Sequence, residues 1–488
     1  MVMDFLVTRR GGGGNLITPS GQTPNDVLDL SVIDSLAVLR CNARTLHVFK
    51  GGDATLIREA FSKALVPYYP LAGRLKLSPH SNNQLLQIDC SAQGIWFVEA
   101  SADCTLCDVN YLDEAAALED STFDKLLPQL HSSSPDPIGG HDTFMDPLVL
   151  VQVTEFKCGG FVMGLTFCHS ICDGLGAAQF LKAVGEFARG VEKLSVTPVW
   201  CREYLLPTSS PQKGFASDQE TKDNSSMSPP FNIPVPDQRL EHASFDIPMD
   251  EINQLKHKVM QDQLMDRQNA FCSSFEIIAA TLWRQRTRAI LDLTNDEKNF
   301  SSSSNSSFIT TDDAGDDEVK LVFFANCRQL VPLPAGFYGN CFFPVTVKAS
   351  NKIVAQASLA EVVKLIKDAK AKLPEEFSQW LNNKTGKSVN EDQNGDDQLN
   401  DPFAPGPGVG YDTLFVSEWG RLGFNEVDYG WGKPVHVIPV QGSAVIPVGI
   451  VSKQPLPQNG IRLMTWCVHS QHLPSFLNMM NKRKLMML

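Results

Sequence analysis

The stretch FVMGLTFCHSICDGLG, residues 161–176, decides the fold. Phe161–Phe167 is too apolar for an exposed edge and predicts a central strand. Leu148–Val153 precedes it, and the turn signal Lys157-Cys158-Gly159-Gly160 joins the two as a hairpin. Beyond the short polar turn, Ala177, Leu181, Val184 and Ala188 recur at helical spacing until Gly190, which predicts an amphipathic helix with a glycine stop. A buried strand running through a tight turn into a helix is a building unit of α/β folds, and the carboxyl end of such a strand is where open sheets gather functional side chains.

The rest of the chain extends this reading. With 488 residues, 43% of them hydrophobic and 20% charged, the chain holds enough apolar surface for more than one domain of about 150 residues. Asp53 is placed to cap a helix over 54–66, ended by Pro67. In the second half, Ser273 or Ser274 starts a helix through Ile290, and Val319–Ala325, Phe342–Val347 and Ile446–Val451 read as strands. The class is mixed α/β. Residues 207–236 are rich in Pro, Ser and charge without periodicity, the composition of a linker. The expected division is an N-terminal domain 1–206, a crossover linker 207–240 and a C-terminal domain 241–488. Two further stretches, 292–318 and 385–404, read as acidic surface insertions unable to bury enough apolar area to order themselves. Gly11–Gly14 lacks a following Lys-Ser/Thr and reads as a flexible arm instead of a phosphate loop. No repeat of about 20 to 50 residues is present.

Charge excludes some functions. The net charge of −13 argues against nucleic acid or an anionic membrane as partner. No basic region leads into an apolar core of roughly 7–15 residues, and no run of about 18 apolar residues occurs, so a cytoplasmic protein without a membrane span is expected. The 12 cysteines are sparse, and no CxxC pair lies beside a matching second pair. Reduced thiols and no zinc ribbon follow.

His169 and Asp173 are the candidate chemistry. A His and Asp four apart is weak as a pattern, and His242 and Asp246 repeat it with no apolar strand before and no Gly after. Position favours His169, at the end of a central strand, although a packed core histidine accounts for the spacing equally well. A neutral imidazole there can take a proton from an attacking hydroxyl or amine. Asp173 either orients that ring or anchors the turn to a cation elsewhere. No third ligand accompanies the pair, so no metal is expected. Cys168 points to the opposite strand face from its neighbour His169, which argues for packing and against a nucleophile. Gly174-Leu-Gly176 is a near miss of a dinucleotide fingerprint, with Gln179 at its third position.

Several segments in fixed order resemble one family. Tyr68-Tyr69-Pro70-Leu71-Ala72-Gly73-Arg74, His169-Ser-Ile-Cys-Asp173-Gly174, Asn326-Cys327-Arg328 with Gly336-Phe-Tyr-Gly-Asn340, and Asp428-Tyr429-Gly430-Trp431-Gly432 together look like the plant BAHD acyl-CoA-dependent acyltransferases. The likeness runs over roughly residues 28–470 outside the linker and insertions. Tyr429 stands where the family usually has Phe.

The resemblance implies two similar mixed-sheet domains with the active site in a channel at their interface, entered by acyl-CoA from one side and the acceptor from the other. It makes His169 the general base for direct attack on the thioester. It turns Asp173 away from the channel to pair with Arg328. Ser417 and Trp419 become candidates for stabilising the oxyanion, with channel packing an equal reading of Trp419. Ser273 and Ser274 match a region that meets coenzyme A phosphate, assisted by Lys433, against a helix cap alone for the serines. Thr45 and His47 match acceptor-pocket positions. Asp428, Gly430, Trp431 and Gly432 are structural, the glycines for a bend and Trp431 filling the core.

The Pro198–Glu203 stretch, the Phe271–Ile290 helix and Ser-Glu-Trp at 417–419 are similar to the alcohol benzoyl-, acetyl- and taxane acyltransferase branch. The expected enzyme is therefore a monomer with no permanently bound cofactor, moving an aromatic or short acyl group from coenzyme A to the hydroxyl of a plant specialised metabolite. An N-acyltransferase acting on an amine, and a non-catalytic metabolite-binding member of the fold, are the rivals.

Overall fold

In a computed structural model, described for residues 5–11, 14–77, 86–113, 120–129, 146–206, 239–263, 271–301, 317–386, 402–403, 410–440 and 446–482, Phe161–Cys168 is an interior strand of a seven-stranded sheet. Its antiparallel neighbours are Val149–Glu155 and Asn42–Phe49. Every residue from Phe161 to Phe167 is buried, which is why the run reads as continuously apolar. Gly164 is required there: a Cβ would lie 2.2 Å from the Leu126 carbonyl of the Asp120–Leu126 helix.

Outward from that strand, the sheet runs through Val149–Glu155 and Ile95–Ala102 to Val7–Arg9, with Asn15–Ile17 also on Ile95–Ala102. Val7–Arg9 and Asn15–Ile17 thus flank Gly11–Gly14, with Val7 and Ile17 packed on apolar neighbours. On one face lie the helices Ala54–Ala64, capped by Asp53, and Gly174–Ala188, stopped before Gly190 at φ +77°. Phe61 and Phe180 meet between them with ring centroids 5.8 Å apart. At the other edge stands His436–Pro439, a strand from the C-terminal half, antiparallel to Asn42–Phe49. It brings Phe424, Val427, Tyr429 and Val437 into the core of this first sheet.

The second sheet has six strands in the order Leu240–Pro248, Gly460–His469, Val448–Lys453, Thr413–Glu418, Glu318–Asn326, Phe342–Ser350. The helices Met249–Gln263, Ser274–Ser301, Leu359–Thr385 and Leu473–Lys482 share its core. A three-stranded sheet of Val27–Asp29, Leu86–Asp89 and Arg74–Leu77 completes the strands. The Ser274–Ser301 helix extends past Ile290 into the stretch read as an insertion, since propagating an existing helix needs no new nucleus. The linker residues 207–236 lie outside the described residues, as does most of 385–404. Among the described residues, no helix is long and apolar enough to cross a membrane.

Candidate functional site

His169 follows the last residue of the central strand, where the sheet's own hydrogen bonding ends. Its N–H donates to the Cys41 carbonyl at 2.9 Å, and its carbonyl accepts from Asn340 Nδ2 at 2.8 Å. The ring lies between Phe167 and Phe342, with centroids 6.2 and 6.1 Å away. Burial holds its pKa below the ordinary 6.5, against smaller opposing effects from its own backbone, Asp173 and Asn340. The imidazole is therefore neutral at pH 7. Among the described residues its buried Nδ1 has no hydrogen-bond partner, nor has Asn340 Oδ1. Burial also pushes the Cys168 thiol up to about 11 and Cys172 well above its usual range, so neither is a ready thiolate.

Asp173 faces the other way. It caps the Gly174–Ala188 helix by accepting from Gly176 N–H at 3.0 Å, and it takes Arg328 Nη2 at 2.8 Å and Cys341 N–H at 3.4 Å. Arg328 donates as well to the Gly339 carbonyl at 2.7 Å. Of the two roles left open for Asp173, the geometry is that of an anchor to a cation. Burial lowers the Arg328 pKa, but the Asp173 carboxylate outweighs it and the net shift is upward. Gly176 owes its place to a close approach, since a Cβ there would lie 2.0 Å from the Tyr338 carbonyl. The dinucleotide near miss is thus a packing glycine.

Three residues behind this loop escaped the sequence reading. Asp34 and Arg202 form an ion pair at 2.7 Å with side chains 0% and 1% exposed. Arg202 also donates to the Ile171 carbonyl at 2.6 Å, and Asp34 accepts from both Asn340 N–H and Asn340 Nδ2. Arg202 and Asn340 lay inside segments that carry the resemblance, which was the available signal. Asp34 is one acid among many and offered none.

Thr45 and His47 are fully buried on Asn42–Phe49, their side chains joined at 2.9 Å. Their spacing of two puts both on one face, and burial drives the His47 pKa down to about 3. The His47 ring meets Phe424 edge-on at 5.4 Å, and Phe424 stacks on Trp419 at 6.0 Å. Trp419 Nε1–H donates to Ser417 Oγ at 3.1 Å. The acceptor-pocket and oxyanion candidates are therefore linked through one phenylalanine. Leu422, from the same turn, packs over Gly174 at the helix start.

In the Asp428–Gly432 segment the carboxylate of Asp428 accepts from Gly430 N–H at 2.8 Å and Gly432 N–H at 3.0 Å. Both glycines have positive φ, +108° and +92°, which the turn requires. One expectation is corrected: Trp431 is 37% exposed, and Tyr429, 1% exposed, fills the core. The turn sends alternate residues to opposite sides, so the ring against Phe49 is that of Tyr429, while Trp431 meets Phe161 in a T-shaped contact with centroids 6.4 Å apart. The Tyr429 hydroxyl donates to Met163 Sδ at 3.4 Å.

Ser273 forms a capping box with Glu276, each side chain accepting from the other's N–H, and Lys370 pairs with Glu276. Burial raises the pKa of neighbouring Cys272, with Lys367 and Lys256 opposing and Glu276 adding to the rise, so the helix start has cations at its border. Ser274 is the first helical residue and is buried. Lys433 is exposed and pairs with Glu426, which also holds Lys453. His242 packs tilted against the Trp466 ring, centroids 4.6 Å apart, and Asp246 pairs with Arg462, so the second His/Asp spacing serves packing and an ion pair. Among the described residues no cluster of three or more His, Cys, Asp or Glu is placed to hold a metal.

A family model described as "Transferase family" matches residues 12–466. "Acyl transferase 4" of Oryza sativa subsp. japonica is 38% identical over 97% of this chain and 98% of its own. The myricetin 3-O-glucosyl 1,2-rhamnoside 6'-O-caffeoyltransferase AT2 of Crocosmia x crocosmiiflora is 35% identical over 98% and 99%. The 3'-N-debenzoyl-2'-deoxytaxol N-benzoyltransferase of Taxus canadensis is 33% identical over 94% and 93%. Two solved structures share the fold: vinorine synthase, with TM-score 0.63 at 19% identity over 96% of each chain, and F. graminearum TRI101 complexed with ethyl coenzyme A, with TM-score 0.65 at 15% identity over 92% of this chain and 96% of the other. On the sequence match over nearly its whole length, the chain belongs to the Transferase family and is an acyltransferase of the plant acyl-CoA-dependent, BAHD type.

Proposed function

We propose that the enzyme moves an aromatic or short acyl group from coenzyme A to a hydroxyl of a plant specialised metabolite by direct attack, with His169 as general base. The observation that carries this reading is a neutral imidazole at the end of a central strand, held through its backbone while Asp173 is committed to Arg328. Its Nδ1 is buried, which leaves Nε2 as the nitrogen to meet an acceptor. Asn340 Oδ1, equally unpartnered, is the group suited to hold the Nδ1 proton and fix that tautomer.

In the proposed reaction Nε2 takes the acceptor's hydroxyl proton as the oxygen bonds to the thioester carbon. The tetrahedral oxyanion then collapses, the carbon–sulfur bond breaks, and coenzyme A leaves as a thiolate that receives the proton from the imidazolium. Because the Trp419 indole proton is already given to Ser417, the Ser417 hydroxyl is the donor free for the oxyanion, with Trp419 orienting it. Thr45 and His47 belong to the acceptor side, and the cation-bordered start of the Ser274–Ser301 helix to the coenzyme A phosphates, with Ser273, Ser274 and Lys433 as contacts.

A second reading, transfer to an amine, is favoured by the name of the N-benzoyltransferase relative. Coenzyme A release, followed with a thiol reagent across acetyl-, benzoyl- and hydroxycinnamoyl-CoA with separate pools of alcohols and amines, decides between them. Release that depends on alcohols supports the proposal. Release that depends on amines alone selects the second reading, and acyl-CoA binding without release under every pairing supports a non-catalytic role.

A further inference from the structure

The strand Glu318–Asn326 is interior to the second sheet, yet its Phe324 is 46% exposed. Leu321 and Phe323 sit in the core shared with the helices, so by alternation Phe324 turns to the opposite face. On the neighbouring strand Thr413–Glu418, Val416 also sits in that core, and Ser417 turns away from it. Val322 pairs with Phe415, and two residues further along each strand come Phe324 and Ser417, on one face of adjacent strands. An uncovered phenylalanine thus stands beside the hydroxyl proposed to hold the oxyanion.

From Phe324 a line of rings leads to His169. Phe324 meets Phe342 in a T-shaped contact with centroids 5.3 Å apart, and Phe342 meets the His169 ring in the same manner at 6.1 Å. A lone exposed phenylalanine on a surface needs no explanation. One that continues a ring contact from the base and flanks Ser417 borders the space where the reacting carbon lies in the proposed mechanism. A phenyl face left in water forgoes the gain that a planar apolar group laid on it would recover.

We propose that Phe324 and Phe342 form the wall against which the acyl group packs, and that they select an aromatic acyl donor over acetyl. The inference rests on the roles proposed for His169 and Ser417. In that reaction the thioester carbon sits between the oxygen delivered at His169 Nε2 and the oxyanion held by Ser417, so the group bonded to that carbon lies close to both. The acceptor side belongs to Thr45 and His47 of the first sheet, which reach Trp419 through Phe424. Phe324 and Phe342 come from the second sheet and are left for the acyl group. Their rings stand at 79° to each other, so an aryl group can take an offset or edge-on position against them, a geometry that a methyl group cannot use.

The test is calorimetric binding of benzoyl-CoA and acetyl-CoA to the full chain without acceptor, followed by coenzyme A release once pooled alcohols are added. Benzoyl-CoA should bind tenfold or more tightly than acetyl-CoA, and that ratio should fall at least fivefold in Phe324→Ala and return in Phe324→Tyr. Folding of each variant is checked by its circular-dichroism melt, and Phe342→Ala takes the place of Phe324→Ala if the latter unfolds. Equal affinities for the two thioesters in wild type, or a ratio unchanged in the folded alanine variant, would overturn the proposal. Binding is read before chemistry, which separates the two claims. A wild type that prefers benzoyl-CoA but releases no coenzyme A with any acceptor contradicts the proposed reaction and supports the aromatic wall, whereas release without a binding preference does the reverse.

Discussion

Arg202 and Asp34 are buried together at 2.7 Å although 168 residues separate them in sequence, and between them they hold both ends of the loop that carries His169. Arg202 reaches the Ile171 carbonyl directly, and Asp34 reaches the His169 carbonyl through Asn340. The guanidinium also lies 3.5 Å over the Trp200 ring. The loop is therefore set by this buried pair as well as by Asp173 with Arg328. Truncating one partner leaves the other charge buried, so Arg202→Met should cost about 3–5 kcal/mol in urea unfolding. Arg202→Lys should recover little, because a lysine lacks the planar fork that reaches carboxylate, carbonyl and ring together. A loss under about 1 kcal/mol for Arg202→Met would contradict this account.

Asp173→Asn keeps a competent helix cap but removes the charge that pairs with Arg328. Asp173 raises the His169 pKa, so the acid limb of kcat/KM should move to lower pH in the variant while the maximum rate falls. An acid limb displaced to higher pH would mean that the carboxylate does not act on the ring in this way.

Tyr429→Phe should be close to neutral. The hydroxyl is buried and its partner among the described residues is the Met163 thioether, a weak acceptor, so removing it deletes both a small gain and a desolvation cost. The expected change is within about 1 kcal/mol by thermal unfolding, with activity retained. A much larger loss would show that the hydroxyl has a partner of greater weight.

His47 and His436 make stability depend on acid. Burial lowers the first to about 3 and the second to about 4, with Arg462 adding to the shift in His436. Both take a proton in the unfolded chain near pH 6.5 but not in the folded one. Stability is thus lost as pH falls below that value, by up to roughly 1.4 kcal/mol per pH unit for each histidine, until the folded pKa is reached. Urea unfolding at pH 7, 6 and 5 should show a shallower fall in His436→Gln than in wild type. Equal slopes would mean that the ring is protonated in the folded protein.

Much of the site was legible because its signals are local. The strand ends one residue past its expected limit, the helix follows, and Arg328 meets Asp173. What stayed hidden is carried by long-range pairing. His436–Pro439 is a four-residue strand whose place beside Asn42–Phe49 depends on where the chain returns, which no periodicity encodes. Asp34 is recognisable only once Arg202 and Asn340 are beside it. Trp431 and Tyr429 are aromatic residues two apart in a glycine turn, and which one turns inward is fixed by the backbone bend, not by residue type.

The central claim is that His169 removes the acceptor proton. The most direct test is kcat/KM against pH, for wild type and His169→Ala, with whichever donor and acceptor pair first releases coenzyme A. The account predicts an acid limb below pH 6.5 in wild type, following the lowered pKa, and a loss of about 10²–10⁴-fold with disappearance of that limb in the variant. A folded His169→Ala enzyme that keeps wild-type kcat/KM, or keeps the acid limb, would contradict it.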